Sequence, residues 1–320
     1  MTSHALAAAC PATRQHQTTR AHLQAAGLTR TQLESLVKSA GLVRLRRGVY
    51  APAPLPVSGR HLLSGGVPDA AYVAQVRAVL LSLGAGCAAA CRTAAVLWGM
   101  DLFVEPRRIE VAVRRSRSRV AMAAVHVMRC TTMSVLDLDV LGLESLCLTT
   151  PLRTVLDCAR TRPLREAVVI ADSALRVGLF TVDELVTAVA AEAGKPGCRK
   201  LRRLLELVDP DSGSVLESLF RVLVVEAGLV PVSQFIVRTR SGAAVGRFDF
   251  CFELQRLIVE CDGRRWHDPE DVRDKDRRPG NELERLRWRL LRVTWAEVVH
   301  QPEYVLQLVK DCLEPATVAA

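Results

Sequence analysis

No stretch of this 320-residue chain is apolar for long enough to cross a bilayer. The most apolar window, residues 78–91, is interrupted by Ser82, Gly84 and Gly86 and falls short of the roughly 20 residues that a spanning helix needs. Residues 1–20 lack the basic start and apolar centre of a secretory leader. The expectation is a cytoplasmic chain with no membrane partner. Cysteine/histidine pairs at zinc spacing are missing as well: Cys87 and Cys91 fall on one expected helix with no second pair nearby. The ten cysteines are scattered, which in a reducing compartment argues for free thiols and against a disulfide framework.

What is present is ordinary in bulk and basic in balance. Hydrophobic residues make up 49% and charged residues 24%, and the length suffices for two or three domains with buried cores. Lysine and arginine outnumber the acids 43 to 34, a net charge of +9 with a pI near 9.3. That excess favours an anionic partner: DNA first, with RNA left open.

In chain order, residues 18–26 read as a short helix closed by Gly27, and Thr29 to Gln32 has the spacing of a capping box. Leu33, Leu36 and Val37 then form one apolar face. Residues 43–51 read as a tight hairpin carrying Arg44, Arg46 and Arg47. Two short helices and a basic hairpin outline a winged helix in which the arginines would reach phosphates; a small packing domain is the alternative. Residues 51–68, rich in proline, glycine and serine, read as a linker. Helices are expected over 69–83 and 88–98, and strands over 108–113 and 125–129. The arginine run at 114–119 between those strands is either a solvated loop or a phosphate contact. Helices follow from Pro151, over 163–177, from the capping box at Thr181, and over 198–208 with a basic face at Arg199, Lys200, Arg202 and Arg203. Residues 209–213 break the pattern. Ser214 to Glu217 opens the next helix, with Glu217 either its N3 capping residue or a carboxylate directed at a site.

Chemistry concentrates further on. Gly246-Arg247-Phe248-Asp249-Phe250 and Leu257-Ile258-Val259-Glu260-Cys261-Asp262 both read as strands. Pairing through a turn at 253–256 would bring Asp249, Glu260 and Asp262 to one surface. Crowded like charges are costly unless a hard cation lies among them, which points to Mg²⁺ or Mn²⁺ on oxygen ligands. The bland alternative is an acidic strand end with a turn at Asp262-Gly263. Arg264, Trp266 and His267 follow at once, then a charged segment with Lys275 and Arg277.

Residues 211–320 resemble the very-short-patch-repair-like (Vsr-like) endonuclease domains of the restriction-endonuclease-like, PD-(D/E)xK superfamily. The matching pieces are Leu216-Glu217-Ser218, Gly228 with Pro231 and Gln234, Arg247 to Phe250, Val259 to Gly263, His267, Asp276-Arg277, Asn281 and Trp288 to Thr294. Upstream, Leu33 through Pro52 is similar to the AbiEi-type region of actinobacterial proteins, described in type IV toxin–antitoxin antitoxins as a DNA-binding winged helix. Two departures stand out. Asp262 occupies the position where the superfamily signature has lysine, and Arg278-Pro279-Gly280 interrupts a segment that should be helical.

The fold class expected is α/β, more closely α+β. It comprises a winged helix over 1–55, a helix-rich α/β scaffold over 56–210, and a restriction-endonuclease-like mixed sheet with flanking helices over 211–320. The resemblance implies a metal-dependent DNA endonuclease. Asp249, Glu260 and Asp262 would be its metal ligands and Glu217 would support them. His267 would be general base or phosphate donor, or simply a surface histidine, and Arg264, Lys275 and Arg277 would be backbone contacts. The alternative from another class is a regulator or antitoxin-like binder whose nuclease domain grips without cutting.

Overall fold

The structure, a computed structural model, describes residues 17–39, 41–53, 68–115, 124–130, 133–140, 143–262 and 280–314. It is a mixed α/β protein with two compact units, residues 1–161 and 162–320. No described helix is long and apolar enough to cross a membrane.

The first unit begins with β1 (Thr18–Thr19), α1 (Arg20–Ala25), α2 (Arg30–Lys38), β2 (Leu42–Arg46) and β3 (Val49–Pro52). The strands form an antiparallel sheet in the order β1-β3-β2. Leu23, Leu33, Leu42 and Tyr50 make its small core, flanked by Leu28, Leu36 and Val37. The Thr29 hydroxyl takes the Gln32 amide while the Gln32 side chain takes the Thr29 amide, so the capping box read from the sequence starts α2.

The same unit continues with α3 (Ala70–Leu83), β4 (Cys87–Ala89), α4 (Cys91–Leu97), β5 (Ile109–Arg114), β6 (Val125–Cys130), β7 (Val135–Val140), β8 (Leu143–Thr149) and α5 (Pro151–Thr161). Its mixed sheet runs β6-β5-β4-β8-β7. Residues 87–89 are a strand, not the start of the helix expected over 88–98. Gly84 and Gly86 take positive φ and end α3, and Cys87, Ala88 and Ala89 then lie at the centre of the sheet, buried between β5 and β8. These side chains are small, and their burial in the sheet overrides the helical preference of alanine. Cys87 and Cys91 therefore sit on different elements. Strands β7 and β8 had no counterpart in the sequence reading. Glu110 on β5 is 2% exposed and is held by the amide and guanidinium of Arg92.

The second unit contains α6 (Leu164–Arg176), α7 (Val182–Ala190), α8 (Cys198–Leu205) and α9 (Val215–Glu226). It continues with β9 (Val232–Arg238), β10 (Ala244–Phe252), β11 (Leu257–Asp262) and a helical turn at 280–285. It ends with β12 (Arg289–Thr294), α10 (Trp295–His300) and α11 (Pro302–Leu313). Its sheet runs β12-β11-β10-β9, antiparallel except for β11 with β12. Val237, Phe248, Cys251, Ile258 and Leu283 form a core, and Phe220 of α9 meets Phe250 of β10 with ring centroids 5.1 Å apart. Thr181/Glu184 and Thr294/Glu297 close capping boxes, and Pro302 opens α11 where its missing N–H costs nothing.

A buried polar knot ties the helices of this unit to its sheet. Asp172 of α6 is 0% exposed and accepts from the Ser218 hydroxyl (2.6 Å), the Asp209 amide (2.8 Å) and the Arg221 guanidinium. Arg221 also donates to the carbonyl of Leu207, and Asp209 takes the Ser233 hydroxyl at 2.6 Å. The loop over 209–213 is thereby fixed between α8 and α9.

Candidate functional site

The acidic hairpin forms as its alternation implies, with β10 and β11 joined by a turn over 253–256. The paired register runs from Phe252/Leu257 to Phe250/Val259. Beyond it, the amide of Cys261 donates to Asp249 Oδ2 at 2.8 Å, so a carboxylate takes a strand N–H at the end of the ladder. This fixes Asp249 beside the backbone of β11.

Glu217 approaches the same spot from α9. Ser214 caps the helix by accepting from the Glu217 amide, but the Glu217 carboxylate does not return to Ser214. It accepts instead from the Gly213 amide (2.8 Å) and from Gln234 Nε2 (2.8 Å). A Cβ at Gly213 would lie 3.0 Å from Glu217 Oε1, so the absence of a side chain there permits the approach. Gln234 has φ +51, uncommon for a residue with a side chain, and its amide is the link from β9 to Glu217.

Electrostatics follow from the crowding. Burial pushes the Asp249 carboxyl up to about 6 against the Cys261 hydrogen bond, and the charges of Glu217 and Glu260 push the same way. Burial, then Asp249, Glu217 and Glu260, also push the Cys261 thiol up, which keeps it a neutral, unreactive group. Glu260 has a cation: Arg292, across the parallel β11–β12 pairing, stands 3.2 Å from its Oε2. Asp262 is partly buried and lies opposite Thr294 in the same ladder.

A divalent ion needs several oxygens free to converge. Among the described residues no group of three or more His, Cys, Asp or Glu side chains stands where it could hold a metal. One oxygen of each carboxylate is engaged: Asp249 with Cys261, Glu217 with Gly213 and Gln234, and Glu260 with Arg292. His267, Arg264, Lys275 and Arg277 lie outside the described residues. Arg44 and Arg47 are exposed on the β2–β3 hairpin of the first unit, and Arg46 is half-buried there.

The sequence reading gave no role to Arg292, and Gln234 entered it only as a matching position. Arg292 carried one readable signal: it lies in a mostly apolar segment, Leu290-Leu291-Arg292-Val293, that reads as a strand. Nothing in the sequence marked Gln234 for a positive φ.

A family model described as REase_MTES_1575 matches residues 230–313, the part of the chain that holds β10, β11 and β12. The carboxyl-terminal region is distantly homologous to restriction-endonuclease-like domains. Over 297 residues the chain is 27% identical to two Mycobacterium tuberculosis proteins from different strains, uncharacterized proteins Rv2248 and MT2308, spanning 91% of this chain and 100% of each of them. Among solved structures, the catalytic domain of the homing endonuclease I-Bth0305I is 21% identical, covers 30% of this chain and 90% of its own, and has a TM-score of 0.25. The RV2827C protein of M. tuberculosis is 18% identical, covers 71% of this chain and 84% of its own, and has a TM-score of 0.42.

Proposed function

We propose that this chain is a DNA-binding protein whose restriction-endonuclease-like domain grips its target without cutting it, as a transcriptional regulator or antitoxin-like binder would. The observation that carries this reading is the state of the carboxylates. Glu260 is paired with Arg292, Asp249 and Glu217 are engaged by protein donors, and Asp262 stands where the superfamily signature has lysine. An arginine on Glu260 occupies the carboxylate that a cation cage would need. The net charge of +9 supports an anionic partner.

The finer assignment has three parts: a winged helix of AbiEi type over 1–55, a scaffold over 56–210 and a Vsr-like domain over 211–320. The order β1-α1-α2-β2-β3 and the sheet order β1-β3-β2 support the first. There α2 would enter a major groove, while Arg44, Arg46 and Arg47 would hold phosphates. Arg264, Lys275 and Arg277, which follow the acidic hairpin in the sequence, would do the same.

A second reading, the Mg²⁺ or Mn²⁺-dependent endonuclease, is favoured by one observation: Asp249 is held within the fields of Glu217 and Glu260, a repulsion that Arg247 offsets only in part. It requires Arg292 to release Glu260, so that Asp249, Glu260 and Asp262 become available as ligands, with His267 as base. One experiment separates the two readings. Purified protein is incubated with plasmid, duplex DNA and RNA in Mg²⁺, Mn²⁺ or EDTA, and binding is measured in parallel. Salt-sensitive DNA binding with no cleavage in any metal is the expected result. Cleavage that needs metal and disappears in Asp249→Ala would replace it with the hydrolase, and preference for RNA would replace DNA as the partner.

A further inference from the structure

We infer that α8 is a second phosphate-gripping element, a basic helix face in the carboxyl-terminal unit that lies along a DNA backbone. The inference rests on the reading that the chain binds DNA, and it adds a surface separate from both the β2–β3 hairpin and the acidic site.

The helix reads Cys198-Arg199-Lys200-Leu201-Arg202-Arg203-Leu204-Leu205. Leu201 and Leu204 are both 0% exposed and hold it against the unit. Arg199, Lys200 and Arg202 are exposed, and Arg203 is partly so. Acids are scarce on this face. Glu206 pairs with Arg203 at 2.7 Å, whereas no carboxylate pairs with Arg199 or Arg202 among the described residues.

Within the fold Arg203 has Glu206 and Lys200 donates to the Arg162 carbonyl at 3.5 Å, but the charges of the face also repel one another. Arg199 with Arg202, Arg199 with Arg203 and Lys200 with Arg203 are like charges three or four residues apart, a spacing that brings them together and weakens a helix. Arg199 and Lys200 also lie in the first turn, which has no acid, where positive charge opposes the helix dipole. A polyanion reverses the sign of each of these costs.

The mounting suits a grip. Immediately after α8, the Leu207 carbonyl is held by Arg221 and the Asp209 amide by Asp172, so the helix ends on the buried knot rather than on a free loop. The same loop carries Gly213, the donor to Glu217. Phosphates on α8 would therefore lie along a duplex presented to the nuclease-like domain.

The test compares the full-length wild type, Arg199→Gln/Lys200→Gln/Arg202→Gln, and a control with equal charge loss, Arg240→Gln/Arg285→Gln/Lys310→Gln. Binding to a labelled DNA duplex is followed by fluorescence anisotropy between about 50 and 200 mM salt, the range over which phosphate contacts are most visible. Far-UV circular dichroism checks that each variant is folded. The α8 variant should bind more weakly on every duplex sequence, with a salt slope reduced by about one for each cation lost, about three in all. The control should keep most of the slope. Equal losses in both variants would mean a net-charge effect, and an α8 variant identical to wild type would remove the helix from the interface. Either result overturns the inference while leaving DNA binding intact. A wild type that binds no DNA at all would overturn the functional reading itself.

Discussion

Asp172 and Asp249 lie in the same unit, and burial pushes both carboxyls up to about 6. Their surroundings differ. Asp172 is 0% exposed but faces the Arg221 guanidinium, a serine hydroxyl and a backbone amide, which together outweigh the like charge of Asp209. Asp249 has a single backbone amide, and the charges of Glu217 and Glu260 act on it more strongly than that of Arg247. The first arrangement is a buried ion pair that ties helices to a sheet. The second concentrates negative charge that Arg247 offsets only in part, and Arg292 is engaged by Glu260. Burial raises both proton affinities, but at Asp172 a cation and two donors work against it, whereas at Asp249 two acids add to it.

The largest effect should come from breaking the satisfied member. Arg221→Met leaves Asp172 buried without its counter-charge and should lower stability by about 3–5 kcal/mol near neutral pH, measured by urea denaturation. The loss should shrink towards pH 5 as Asp172 takes up a proton. A loss under about 1 kcal/mol would mean that the pair is not what holds the knot.

Asp249→Asn should act in the opposite direction. Because the folded-state value, about 6, is raised above 3.8, the contribution of this group is fully present below 3.8 and is lost as pH rises through about 6. Asparagine can still accept from the Cys261 amide but has no charge to repel Glu217 and Glu260. The variant should therefore be more stable than wild type at pH 8 by about 1 kcal/mol, after allowing for the solvent that reaches the site, with the gain gone near pH 4. A destabilised variant at pH 8 would show that Asp249 has a stronger partner than the Cys261 amide, and the contrast with Asp172 would fail.

The smallest change belongs to the pair at the rim. Glu260 and Arg292 are 33% and 51% exposed, so Glu260→Gln should shift stability by less than about 1 kcal/mol. It should nevertheless lower the titration midpoint of Asp249, read by NMR, because one of the charges that raise it has been removed. An unchanged midpoint would separate Glu260 from the cluster.

The parts of this fold that could be read from the chain are those written in local spacing. The capping boxes at Thr29, Thr181 and Thr294, proline at the head of α11, and the alternation that builds β10 and β11 all depend on residues within a turn or two of one another. The small strand β4 was unreadable because alanines signal helix, and only its neighbours β5 and β8 make it extended. At the site, the hairpin and its three acids were visible in advance. The fates of those acids were not: Gln234 reaches Glu217 across 17 positions, and Arg292 reaches Glu260 across 32.

By itself the sequence determined a basic chain with an acidic hairpin in a restriction-endonuclease-like region, together with the beginnings and ends of most of its helices. Tertiary structure alone decided which buried acid receives a cation. Asp172 and Arg221 are 49 residues apart, and the free energy of burying a charge depends on what lies within a few ångströms of it in space, which no local pattern encodes.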